Sequence, residues 1–401
     1  MKLHIYDRQT ENLSYVGFLE EQHGKFNLKI SSQSPYQLYG NNYTANNIHP
    51  HLRDSSPDNW GRRVIHRIYG NQITSELEYL ALSNFGRIGN LVFSIYPPEQ
   101  IGNVVSELQE DQNFSLSDLH HQFDLVDKKT PILEAALNHG TSIGGARPKA
   151  SVRIDNIDYI AKFGSTTDVH PVVESEFIAM TIAKQIGLNV SDLKLEYLSS
   201  GKPVILVKRF DRERIDGKLY CKPIVSALTV LQLEEMTSRY ASYADLAGFC
   251  RGNDKKDLFK RIVFNLMIGN TDDHARNHSF FWNDKTETIT LTPIYDIAPI
   301  PRKTNIVSQA MILPNGKNIA NLDNVFGNMF DMDLDEQKRI CNDIQVGILD
   351  CFTENNSVLL DFMDKTRLSF VLKQLKNTVL NESLFYNQNK VKPLVALTHS
   401  C

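Results

Sequence analysis

From residue 269 to 277 the chain reads Gly-Asn-Thr-Asp-Asp-His-Ala-Arg-Asn, so carboxylate, imidazole and amide groups crowd into one short stretch. It directly follows an apolar helical stripe, Leu258, Ile262 and Leu266 with Phe259, Val263 and Met267 beside it, and Gly269-Asn270 is a helix stop. Residues 278–282 and 288–292 pattern as a hairpin around Asn283-Asp284. Beyond it Asp296 stands in the apolar setting Ile294-Tyr295-Asp296-Ile297-Ala298. A carboxylate so placed is costly unless cations or donors compensate it.

Phosphoryl transfer gives this set a purpose. An attacking hydroxyl needs a carboxylate to orient it and take its proton. Nucleotide phosphates need a divalent cation held by oxygen ligands, such as an amide and a second carboxylate. In kinase catalytic loops the base precedes the metal-binding Asn by five positions, and a second metal-binding Asp follows later. Asp272 to Asn277 is also five, which selects Asp272 over Asp273 as base, and Asp296 follows a hairpin-sized insert. Standing alone, Asp272 and Asp273 would be turn formers or caps.

Upstream, Lys162 ends the apolar strand pattern Tyr159-Ile160-Ala161-Lys162 and could reach phosphates, although an isolated lysine there would be an edge-strand residue. The turn Gly144-Gly145 could bring backbone N–H groups to a phosphate. Gly140 and Gly145 have Walker A spacing, but Ala146-Arg147 replaces the required Lys-Ser/Thr, so that match is false. Glu176, on the following helix, pairs with Lys162 or is simply solvated. Lys208, Arg209, Arg212 and Arg214 form the densest basic run, either a solvated face or a docking patch. His49/His51 and His120/His121 lack further ligands at metal-binding spacing.

The elements that must position these groups are mixed. Residues 1–30 alternate as strands with a turn at His23-Gly24; helices are predicted from Ser56-Pro57-Asp58 to Gly70, with Ser56 as N-cap, and over 75–85. Residues 97–113 are polar and turn-rich, a domain boundary. Strands at 150–154, 159–163, 193–198 and 204–210 flank a helix over 172–186, and after Gly217 the pattern turns helical.

At 401 residues, 41% of them hydrophobic and 22% charged, the chain has material for two to three domains and is not disordered by composition. Lys plus Arg is 43 against 47 Asp plus Glu, a net charge of −4, which argues against a surface that clings to nucleic acid or membrane throughout. No secretory signal or bilayer-length apolar run is expected. Cys221, Cys250, Cys341, Cys351 and Cys401 contain no C-x-x-C pair, so free thiols in a cytoplasmic setting are expected.

The order of Ser142-Ile143-Gly144-Gly145-Ala146-Arg147-Pro148-Lys149, Ile160-Ala161-Lys162, Leu206-Val207-Lys208-Arg209-Phe210-Asp211, Asp272–Asn277 and Tyr295-Asp296 resembles the HipA family, bacterial serine/threonine kinases that act as toxins. Ser56–Arg62 and Gly86-Arg87-Ile88-Gly89 resemble its N-terminal subdomain. The resemblance implies an α+β, two-lobed protein-kinase-like fold. Its parts would be an N-terminal α/β subdomain (1–113), a mixed α/β N-lobe (114–215) and an all-helical C-lobe (216–401).

It further implies Asp272 as catalytic base, Asn277 and Asp296 as magnesium ligands, and Lys162 on the phosphates of ATP. The loop Ser142, Ile143, Gly144, Gly145 and Ala146 would cover those phosphates. Adenine would lie against the hinge at Lys208 and Phe210, with Lys208 replacing an acidic residue of the family, and His274 would prop the site. Ser142, or its neighbour Thr141, would be autophosphorylated as an off switch. The implied partners are a protein substrate, a translation component such as an aminoacyl-tRNA synthetase, and a HipB-like helix-turn-helix antitoxin through which DNA is met indirectly. Two other readings stay open: a catalytically inactive corepressor that binds the antitoxin on DNA, and a metal-dependent phosphohydrolase built on Asp272, Asp273, His274 and Asp296.

Overall fold

The period-2 alternation at the N-terminus builds a sheet. In the computed structural model, which describes residues 1–10, 12–32, 34, 43–83, 86–108, 115–128, 140, 147–165, 168–283, 286, 288–301 and 307–379, five antiparallel strands run in the order β4-β3-β2-β1-β5. They are β1 (Lys2–Asp7), β2 (Ser14–Gln22), β3 (Lys25–Ile30), β4 (Tyr43–Ala45) and β5 (Leu91–Ser94). His23 and Gly24 both take positive φ, 52° and 71°, as a tight hairpin turn requires. Leu3, Ile5, Leu19 and Leu28 bury one face of this sheet with Leu77 and Leu80 of the helix Glu76–Leu82. A capping box of Ser75 and Glu78 starts that helix.

Two local expectations change. The helix placed at Ser56 begins later, as Asn59–Tyr69 with Asp58 at the N-cap, because the Ser56 hydroxyl donates instead to Glu76 Oε2 at 2.8 Å. The polar stretch after Pro97 contains a short helix, Ile101–Glu107, whose Val104 is buried against Tyr6 and Val92.

The next sheet is antiparallel in the order β6-β7-β9-β8, from β6 (Lys149–Ile154), β7 (Ile157–Phe163), β8 (Leu193–Tyr197) and β9 (Pro203–Lys208). Alternation sorts its side chains onto two cores. Ala161, Phe163, Val204 and Leu206 meet Trp60 and Phe123, while Leu195, Ile205 and Val207 meet the helix Val172–Gln185. That helix is also buried against Leu258, Ile262 and Leu266 of the helix Asn253–Ile268 and against Leu368 and Leu372 of the helix Lys365–Val379, so both lobes share one core.

The C-terminal lobe, expected to be all-helical, also carries two small sheets among its described residues. A hairpin of β10 (Arg212–Ile215) and β11 (Lys218–Cys221) is followed by β12 (Ile224–Ser226), which pairs with β13 (Ser279–Asn283) and through it β14 (Thr288–Leu291). Helical character therefore begins after Ser226 and not at Gly217; buried Leu219, Cys221 and Val225 keep the two-residue period of strands. Among the described residues, no helix is long and apolar enough to cross a membrane.

Candidate active site

Strand β7 turns Ala161 and Phe163 into the core, which leaves Ile160 and Lys162 on the face that lines the cleft between the lobes. Lys162 Nζ donates to Glu176 and to the carbonyl oxygen of Tyr295 at 2.9 Å, and stands 3.3 Å from Asp296 Oδ1. Burial works against this ammonium, but Asp296 and Glu176 more than offset it and hold its pKa above the usual lysine value. Burial dominates at Glu176, which is 6% exposed, and raises its pKa despite Lys162. At Asp296 burial is outweighed by Lys162 and Lys149, and the carboxyl lies below its ordinary range.

Lys149 was not singled out from the sequence. It sits opposite Lys162 in the β6–β7 register, 6% exposed, and lines the same cleft. Burial pushes its pKa down. The β-pairing is the signal that could have found it, since cross-strand partners share a face.

The loop carrying Asp272 is held from below. Gly269 closes the helix Asn253–Ile268 in the left-handed conformation, φ 84°, and the Asn270 N–H donates to Asn265 O at 2.9 Å. Asp273, 1% exposed, is the hub: its Oδ2 accepts from the Tyr243 hydroxyl, from Asn265 Nδ2 at 2.7 Å and from His278 Nε2 at 3.0 Å. Asp272, its neighbour, is solvent-accessible. Its carbonyl accepts from the His274 N–H at 2.9 Å and from Asn277 Nδ2 at 3.3 Å. Partial desolvation, with Asp296 and Asp273 adding negative charge and His274 opposing, raises the Asp272 pKa. Asn277 and His274 line the cleft with Lys162 and Asp296, and His274 Nδ1 is buried with no hydrogen-bond partner among the described residues.

A clamp fixes the loop laterally. Arg276 is bound by Glu235 and lies 3.2 Å from Asp58 at the start of the helix Asn59–Tyr69. The Arg276 carbonyl accepts from the Tyr295 hydroxyl, so the residues preceding Asn277 and Asp296 are tied together.

The hinge expectation is only partly reflected in the geometry. Lys208 does not line the cleft: its N–H donates to Asp192 O at 2.7 Å, its carbonyl accepts from Ser191 Oγ at 2.6 Å, and its ammonium turns outward, 3.6 Å from Asp192. The preceding Val207 does line it. The Phe210 ring packs on Tyr295, centroids 5.7 Å apart, one residue from Asp296.

The arginines of the basic run form neither a solvated face nor a docking patch, while Lys208 is exposed. Arg209, 3% exposed, donates to Asp211 at 2.9 Å and to the carbonyls of Gly86 and Arg87. Asp211 in turn accepts from the Gly89 N–H at 2.9 Å. Arg212 and Arg214 pair with Asp158. This network fastens the second sheet to the N-terminal part. The acidic partners Asp158 and Asp211 are the signal that charge counting overlooked. The loop Thr141, Ser142, Ile143, Gly144, Gly145 and Ala146 lies outside the described residues.

The donor set fits a magnesium nucleotide. Asp296 and Asn277 offer two oxygen ligands, and Mg²⁺ characteristically completes its shell with water and phosphate oxygens. Lys162 and Lys149 would supply cations for the phosphates, and among the described residues no group of three or more His, Cys, Asp or Glu offers a self-sufficient metal site.

Two lobes closing on this cleft define a protein-kinase-like fold, shared with the Shewanella oneidensis MR-1 HipA chain solved with HipB and its operator DNA: TM-score 0.65, 19% identity, 94% of this chain and 96% of that one. Residues 141–350 match the HipA-like C-terminal domain. That is more than half of the chain, which belongs to the HipA family. The Shewanella oneidensis serine/threonine-protein kinase toxin HipA is 27% identical over 190 residues, 40% of this chain and 43% of that relative. The matched sequence thus spans less than half the length of that relative.

Proposed function

We propose that the chain is an ATP- and Mg-dependent protein serine/threonine kinase acting in the cytoplasm as the toxin of a toxin–antitoxin pair. The observation that carries this reading is Lys162, paired with buried Glu176 and 3.3 Å from Asp296 Oδ1, the cation–carboxylate arrangement that kinases use to seat nucleotide phosphates. Asp272 accepts the proton of the attacking Ser or Thr hydroxyl. The acceptor oxygen forms its bond to the γ-phosphorus as the bond to the β–γ bridging oxygen breaks, and ADP departs. Asn277 and Asp296 would hold the magnesium, whose chemistry there is neutralisation of phosphate charge. Lys162 and Lys149 bind the phosphates, and Phe210, through Tyr295, steadies the floor beneath them.

The rest of the reading comes from family membership. The acceptor is a translation component such as an aminoacyl-tRNA synthetase, and a HipB-like helix-turn-helix antitoxin neutralises the chain and carries it to operator DNA. Phosphorylation of Ser142, or Thr141, adds about −1.5 to −2 charge to the glycine-rich loop and switches transfer off. Induction of the chain alone should arrest growth, the antitoxin should relieve the arrest, and Asp272→Asn should grow normally. Equal arrest by the Asp272→Asn chain would overturn the reading.

A further inference from the structure

The helix Val172–Gln185 carries two buried acids that point opposite ways. Glu174 is 1% exposed and Glu176 is 6% exposed. Two residues are about 200° of rotation on an α-helix, so the two side chains leave from opposite sides. Glu176 meets Lys162 in the cleft. Glu174 meets Arg367 of the helix Lys365–Val379: Arg367 Nε donates to Glu174 Oε1 at 2.9 Å, and Nη2 donates to the same oxygen. The guanidinium also lies over the Phe370 ring, 5.1 Å from its centroid, which fixes it on its own helix.

The same helix is held to the C-terminal helices along its length. Phe177 packs edge-on against Phe362, centroids 5.0 Å apart, and at the far end the Gln185 and Asn356 amides exchange hydrogen bonds at 2.9 and 3.2 Å. In protein kinases the placement of the helix that bears this glutamate decides whether the Lys–Glu pair forms. A rotation that carries Glu176 off Lys162 drags Glu174 away from Arg367 and strands a buried carboxylate without its cation, a costly state. The back of the helix is thereby coupled to its front.

We infer that Arg367 is a positioning residue for phosphoryl transfer: through Glu174 it sets the rotation of the helix Val172–Gln185 and so keeps Glu176 on Lys162. The assignment rests on the proposed kinase activity.

The test pairs calorimetric binding of Mg-ATP with phosphate transfer by the full chain. Arg367→Ala would leave Glu174 buried and unpaired and could unfold the protein, so Glu174→Met/Arg367→Met is used, which removes the brace without leaving a lone charge. This variant should bind Mg-ATP with the wild-type stoichiometry and turn over about fivefold more slowly, the effect of a misplaced positioning group. Combined with Glu176→Gln it should fall no more than about twofold below Glu176→Gln alone, because the two act through one contact. Arg367→Lys returns a cation without the planar fork and should keep at least about half of wild-type turnover. A purely structural role would instead lower the binding stoichiometry, or repeat the full loss in the Glu176→Gln background; either result overturns the assignment. Wild-type turnover in Glu174→Met/Arg367→Met overturns it alone and leaves the kinase reading standing. Mg-ATP binding without transfer by the wild-type chain overturns both.

Discussion

His278 Nε2 lies 3.0 Å from Asp273 Oδ2, with both residues almost fully buried beneath the exposed Asp272. The carboxylate that looks like half of an acidic pair is thus the anchor of the loop, which leaves its exposed neighbour as the proposed base.

Asp273→Ala should cost about 3–5 kcal/mol in denaturant unfolding, because Tyr243, Asn265 and His278 would be left as buried donors without their shared acceptor. Burial alone would raise the Asp273 pKa, but His278 and the hydroxyl of Tyr243 bring it below the usual 3.8. A depressed folded-state pKa adds stability above the unfolded value of about 3.9, lost as pH falls through the folded value. The stability gap between wild type and Asp273→Asn should therefore be full at neutral pH and narrow below about pH 4.

Glu176→Gln should lower turnover more than it lowers stability. The change keeps a hydrogen-bond acceptor beside Lys162 but removes the charge that helps hold the ammonium. Removing an interaction needed for positioning lowers kcat and kcat/KM together. A fall in kcat of at least about tenfold with a stability change near 1 kcal/mol is expected from paired steady-state and denaturation measurements. Lys162→Met should go further and weaken ATP binding as well.

Transfer should fall in acid through a pKa above that of an ordinary aspartate. Asp272 works as a base only when ionised, and its pKa is raised by partial desolvation and by the negative charge of Asp296 and Asp273. Activity is then lost as pH drops through that raised value. A kcat/KM profile whose acidic limb lies at or below 3.8 would count against Asp272 as the titrating base.

Asp211→Ala should cost about 3–5 kcal/mol, since Arg209 would become a buried cation without its carboxylate. The lesion should also loosen the N-terminal attachment, because Gly89 loses its acceptor and Arg209 its brace against Gly86 and Arg87. Limited proteolysis should show faster cleavage near residues 86–89.

What could be read from the sequence followed from whether the physics was local. Strand alternation over residues 1–30 and in the second sheet, and the Gly269 stop, act over a few residues and fell close to where periodicity placed them, and Lys162, Asp272, Asn277 and Asp296 keep a motif order that survives in one dimension. Asp273 carried no such mark, since its three donors come from the helices Tyr243–Phe249 and Asn253–Ile268 and from the residue before β13. Arg209, Arg212 and Arg214 misled for the same reason: charge density says nothing of depth, and their partners at Asp158 and Gly86 are far off in the chain. Ser56 has an N-cap's chemistry but spends its hydroxyl on Glu76, a contact only the packed helices make.

Transfer of labelled γ-phosphate from ATP to protein in the presence of Mg²⁺ tests the central claim most directly, with wild type, Asp272→Asn and Asp296→Asn compared at equal concentration. Wild type should incorporate label and both variants should fall by at least about a hundredfold, the scale of a general base or a metal ligand lost. Equal incorporation by all three proteins, or none by the wild type, would contradict it.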